Sequence, residues 1–445
     1  MGPIFVYTAF AFICIGAFAR PTIGAVGYIG FVAFEPTWLW RYQLDAAFPF
    51  QKWIVACLLL GWMFHFFRTR NLSLTSVIPL GLLVAVLALG HLSAAESYAP
   101  EKSEFFLRQF NKIVLMSAVV ALALSSKRAV EIALVVMAIG ISYNAFEINA
   151  DYYRQGFSLV NQDGWSKMNA NGYALIMLIG TVFTFALAQY STSTIGTAGW
   201  LFASVVNAHA IMIVESRGAM LGLAVAGVLH LIHMRPSLKN ISLTISISLA
   251  ALVVAGPPVI AEFASIFAKT LDNSGSSRFD IWDAGFRISL DYPLLGVGPW
   301  AGEALVPAYY EGAGKVGAQV IALHNIELEV ATGMGIPAML AYVAFFFLPW
   351  NRARKMIWKQ RGMATNESSA ILFGSVLAIP AYWIAAQFNS GALVEIPYLM
   401  VAILIAELVQ SERSHSCLLP SKNTRAEKRL NHHPAQLQPT LPINS

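Results

Sequence analysis

The chain has 445 residues, 57% of them hydrophobic and 12% charged, with a mean hydropathy of +0.60 and a net charge of +5. That balance excludes an ordinary soluble globular domain, and it gives no reason to expect a nucleic-acid partner. The three cysteines, Cys14, Cys57 and Cys417, are too scattered for a disulfide framework or a zinc site.

Apolar residues fall in blocks of about 17 to 22, the length an α-helix needs to cross a hydrocarbon core of ~30 Å. Barrel strands would be shorter and would alternate. The expected fold class is therefore an all-α polytopic integral membrane protein of about 12 to 13 transmembrane helices. In chain order the spans are 3–19, 21–37, 52–67, 75–92, 105–124, 128–146, 170–189, 197–214, 217–234, 242–260, 325–350, 369–388 and 393–410. The first lacks a basic leader and a small-residue cleavage signal, so it reads as a retained span.

Alternate loops collect Arg20, Arg68, Arg70, Lys127, Arg128, Arg235, Lys239, Arg352, Arg354, Lys355, Lys359, Arg361 and the C-terminal bases on one side. The positive-inside rule makes that side cytoplasmic. Residues 1–410 then form one transmembrane domain. Within it, residues 261–324 form a long loop on the periplasmic or outer face. Residues 411–445, polar, basic and without helical periodicity, read as a disordered cytoplasmic tail.

Most polar residues that could carry chemistry face the outer side. Arg217 opens an apolar helix; it is either an anion clamp, with Ser216 and the free amides of the helix start as added donors, or a snorkelling side chain paired with Glu215. The stretch 277–290 reads as a loop helix with Arg278 and Trp282 on one face. Arg278, near the helix start, is a phosphate ligand or a partner for Asp280. Asp283 and Arg287 have the spacing of a surface ion pair.

The run Pro293 to Pro299, with Gly296 and Gly298, predicts a tight reversal and not a dinucleotide fingerprint. His324 can be neutral near pH 7 and accept a proton from a hydroxyl, and the Asn325 amide can orient a sugar or phosphate; an unremarkable interfacial histidine is the other reading. Glu327 and Glu329 diverge by about 200° on a helix and cannot share one ion, so no metal site is expected.

Ser216, Arg217, Gly218 and Ala219 open a helix. A long outer loop follows with Arg278, Trp282 and PLLGVGP, and then come His324, Asn325 and GMGIP at 333–337. Together these resemble the O-antigen ligase superfamily, which includes O-antigen polymerases and protein O-oligosaccharyltransferases. The stretch 18–40 also looks like the exosortase-associated O-glycosylation ligases. The resemblance implies a GT-C-like glycosyltransferase of the bacterial inner membrane, independent of metal or cofactor. It would move a glycan from undecaprenyl pyrophosphate to an acceptor hydroxyl on the periplasmic face.

By position, Arg217 and Arg278 would bind the pyrophosphate and stabilise its growing charge by about 2–4 kcal/mol per well-placed donor, and His324 would be the base. Asn171 lies where many relatives carry an asparagine motif, and with Ser216, Trp282 and Asn325 it completes the expected substrate-binding set. This sequence has Ala322, Leu323, His324 and Asn325 where protein-glycosylating members carry His-Ala-His-Asn. The acceptor therefore stays open among lipid A core, a growing glycan and a protein hydroxyl. A different class of function, a transporter or flippase of an anionic lipid-linked glycan, would use the same arginines.

Overall fold

The computed structural model describes residues 2–45, 48–65, 72–166, 168–233, 273–310, 320–360 and 369–418. The expected span 242–260, the loop residues 261–272, Arg68, Arg70, Arg235, Lys239, Arg361 and the tail beyond Leu418 lie outside them.

Inside a hydrocarbon core every backbone amide and carbonyl must be paired within the chain, and helices do this locally. Accordingly the described residues are almost all helical, with one isolated bridge, Trp165 to Met168, as the only extended pairing among them. The elements are α1 (Gly2–Ala19), α2 (Pro21–Phe34), α3 (Pro36–Leu39), α4 (Phe50–His65), α5 (Leu74–Ala94), α6 (Pro100–Ala123), α7 (Lys127–Gln155) and α8 (Leu159–Asp163). They continue with α9 (Ala170–Tyr190), α10 (Thr194–Ile213), α11 (Arg217–His233), α12 (Asn273–Asp291), α13 (Gly302–Tyr309), α14 (Ile326–Gln360), α15 (Ala370–Ala386) and α16 (Ile396–Leu418).

Seven described helices are long and apolar enough to cross a membrane, and α4, α11 and α15 are shorter apolar helices. Two boundaries differ from expectation. Helix α16 runs on to Leu418, past the expected end of the transmembrane domain, and α12 begins at Asn273, one turn before the expected start.

At the core of the bundle, α9 packs on α10 and α15, α5 on α14, and α11 on α15. Side chains tie the two ends of the bundle separately. At one end Thr22 donates to the Ala123 carbonyl (2.8 Å), Ser369 donates to Glu407 (2.8 Å), and Arg352 pairs with Glu412 (3.7 Å). Arg20, Lys127, Arg128, Arg352, Arg354, Lys355, Lys359 and Arg413 all belong to this end. At the other, Ser93 donates to the Gly333 carbonyl (2.7 Å), Lys102 pairs with Glu303 (3.0 Å), and Asn325 donates to Gln387 (2.9 Å). The candidate chemistry lies at this second end.

Candidate functional site

The described residues between Asn273 and α14 have their own small core: Ile281, Ala284 and Ile288 of α12, Val297, Ala301, Leu305 and Val306 after it, and Leu323. Their turn is seated in a break in α14. Gly335 has φ 88° and ψ 165°, which interrupts the helix two residues before Pro337. Into that break go three backbone bonds: Val297 N to Thr332 O (2.8 Å), Gly298 N to Gly333 O (3.0 Å) and Ile336 N to Pro293 O (2.8 Å). Gly296 and Gly298 take positive φ, as the tight reversal requires. Ser93 of α5 also bridges the joint, accepting from Gly298 N (3.0 Å). PLLGVGP and GMGIP are thus two halves of one lock, which fixes α12 against α14.

His324 stands just before α14 in the left-handed region, with φ 48°. A non-glycine residue holds that conformation at a cost of about 1–2 kcal/mol, so its neighbours must impose it. On one side, Trp282 Nε1 donates to the Leu323 carbonyl (3.1 Å) and the Leu323 side chain is buried in the loop core. On the other, Asn325 caps α14: its Oδ1 accepts from Leu328 N (3.0 Å) and its Nδ2 donates to Gln387 Oε1 (2.9 Å). Burial holds the His324 pKa below the ordinary histidine value, with the Arg278 cation acting in the same direction and Glu303 opposing both.

The α12 boundary changes the reading of Arg278. With the helix starting at Asn273, Arg278 sits in the second turn and gains little from the free amides of the helix start. What aims it is the docking of α12, one turn away at Trp282. Arg287, on the other side of that helix, donates through Nε to Asp283 (2.8 Å), the exposed ion pair its spacing predicts.

Arg217 is the first residue of α11, and Ser216 before it is buried, with its carbonyl accepting from Met220 N (3.0 Å). Phe388 touches both regions: its side chain is among the atoms nearest the position a Cβ on Gly218 would take, and its ring lies 5.7 Å from that of Trp282. Asn171 is exposed in the first turn of α9, and the cap of that helix is Asn169, whose side chain accepts from Gly172 N (2.7 Å).

Several residues at this end were not singled out by sequence reasoning. Gln387 joins Asn325 to Glu327, donating to the Glu327 carboxylate at 3.5 Å, and Trp383 donates to the same oxygen at 2.7 Å. Glu327 thus faces α15, while Glu329 accepts from Trp300, the divergence expected of i,i+2 positions. Lys102 and Glu303 add an ion pair that carries one of the charges felt by His324. The only signal for these residues was their place at span ends on the outer side. Among the described residues no cluster of three or more His, Cys, Asp or Glu is arranged for a metal ion.

Residues 202–343, about a third of the chain, match the family model described as O-antigen ligase. The matched stretch contains Arg217, Arg278, Trp282, the PLLGVGP turn, His324, Asn325 and the GMGIP break. It supports the O-antigen ligase superfamily and a glycosyl-transferring membrane protein. A search of curated proteins gives no match.

Proposed function

We propose that this protein transfers a glycan from undecaprenyl pyrophosphate to an acceptor hydroxyl at the periplasmic face of a bacterial inner membrane, as an O-antigen ligase or polysaccharide polymerase. The observation that carries this reading is the bond from Trp282 to the carbonyl preceding His324, which ties the helix bearing Arg278 to the residue beside the base. It lies within the family match.

In the reaction, the acceptor oxygen attacks the anomeric carbon while the bond from that carbon to the pyrophosphate oxygen breaks. The electron pair leaves with the pyrophosphate, and the hydroxyl proton passes to neutral His324. Arg278 serves twice: it stabilises the leaving anion and adds to burial in disfavouring the protonated form of His324. Arg217 supplies the second cation. A well-placed general base typically contributes about 10²- to 10⁴-fold.

The test uses R217A, R278A and H324A in cells and as purified proteins. Each variant should insert in the membrane yet accumulate lipid-linked glycan and lose transfer by at least about 100-fold. Normal transfer by all three overturns the proposal. A wild-type protein that moves lipid-linked glycan across liposomes and transfers no sugar would establish the flippase reading instead.

A further inference from the structure

The turn after α15 holds polar groups that the reaction above does not use. Asn389 is 3% exposed, and its side-chain Nδ2 has no hydrogen-bond partner; the buried Ser390 hydroxyl has none either. A buried amide without a partner is uncommon in a native fold and calls for an explanation. Its surroundings are held firmly. Gln387 is fixed by Asn325, Phe388 lies against Trp282 and Gly218, and Gly391 sits within reach of Leu175, Tyr382 and Ile326. The Asn389 Nδ2 stands 3.9 Å from the position a Cβ on Gly172 would take, at the start of α9, where Asn169 and Asn171 are exposed.

We propose that Asn389 and Ser390 form a subsite for an uncharged sugar of the lipid-linked glycan, donating hydrogen bonds to its hydroxyl or acetamido oxygens. The inference rests on the glycosyltransferase reading and adds residues beyond the matched stretch, which ends at 343.

Charge decides between sugar and phosphate as the occupant. Helices α9 and α15 and the turn 387–395 contain no lysine or arginine, so they offer a phosphate no countercharge. Carboxylates are nearby instead: Ser166, just before α9, donates to Glu35, and Glu395 closes the turn. The first-turn amide of Gly172 is already taken by Asn169. Among the described residues Lys112 of α6 lies within electrostatic reach of Glu395, where that carboxylate offsets it, and Arg217 opens α11 next to Gly218, which the Phe388 side chain covers. The pyrophosphate thus belongs on the Arg217 side of Phe388, and the first sugar on the Asn389 side.

The experiment measures binding of two probes to the full-length protein in nanodiscs: bare undecaprenyl pyrophosphate, and the same lipid carrying one N-acetylhexosamine. N389A and S390A should each weaken the sugar-bearing lipid by about 10-fold and leave the bare lipid within about twofold of wild type. Unchanged bare-lipid binding also shows that the variants fold, and S390A carries the comparison if N389A does not. Equal weakening of both lipids makes the turn an anion site, and weakening of neither makes it structural; either result overturns the proposal. Failure of the transferase reading is read separately, as wild-type protein that binds the sugar-bearing lipid and transfers nothing.

Discussion

The joint between the PLLGVGP turn and the break in α14 makes a prediction that needs no knowledge of the substrate. Gly335 has φ 88° and ψ 165°, a region open essentially to glycine alone, and a Cβ there would strike the Leu294 carbonyl oxygen. Because the obstructing atom is backbone, no rotamer change can relieve the clash. An alanine must pay about 1–3 kcal/mol of strain in place. It must also displace the turn and lose three backbone hydrogen bonds at about 1 kcal/mol each, so the docked state weakens by about 4–6 kcal/mol.

At about 1.4 kcal/mol per tenfold, that range raises the undocked fraction of the loop by about 10³- to 10⁴-fold. Limited proteolysis within the segment 273–323 reads that fraction when reclosing is fast, and glycan transfer should fall in parallel as Arg278 leaves His324. G227A is the control, since Gly227 lies in α11 with open space around it. It should be neutral or slightly stabilising. Wild-type protease resistance and transfer in G335A would refute the claim that this lock positions the site.

Three further outcomes follow from the geometry. His324 has its pKa lowered by burial and by Arg278, so the acid limb of the pH–rate profile should lie below the ordinary histidine value, and R278Q should move it upward. The sign for stability agrees: as pH falls through the ordinary value, the unfolded chain takes up the proton first, so the native state loses stability on the acid side, which a pH series of thermal melts will show. N325L removes the α14 cap and the bond to Gln387, and it should cost about 1–3 kcal/mol in stability with loss of transfer, measured by thermal unfolding and by the transfer assay. R287A breaks an exposed ion pair worth about 0–1 kcal/mol, so it should retain transfer where R278A does not.

How much of this was legible in the sequence depended on range. Apolar block length gave the helices because a membrane forces each backbone to satisfy itself locally, and local rules can be read from consecutive residues. Helical angle separated Arg278 from Arg287 and Glu327 from Glu329 for the same reason. The order of Arg217, Arg278 and His324 along the chain pointed to one end of the bundle. Tertiary structure decided what lies between them. That PLLGVGP would enter the GMGIP break, that Trp282 would reach the carbonyl before His324, and that Gln387 and Phe388 would lie beside these residues all depend on contacts between residues 35 to 170 positions apart. Nothing in a single sequence marks such pairs, because the partner that fixes each side chain is chosen by how the helices pack and not by its neighbours in the chain.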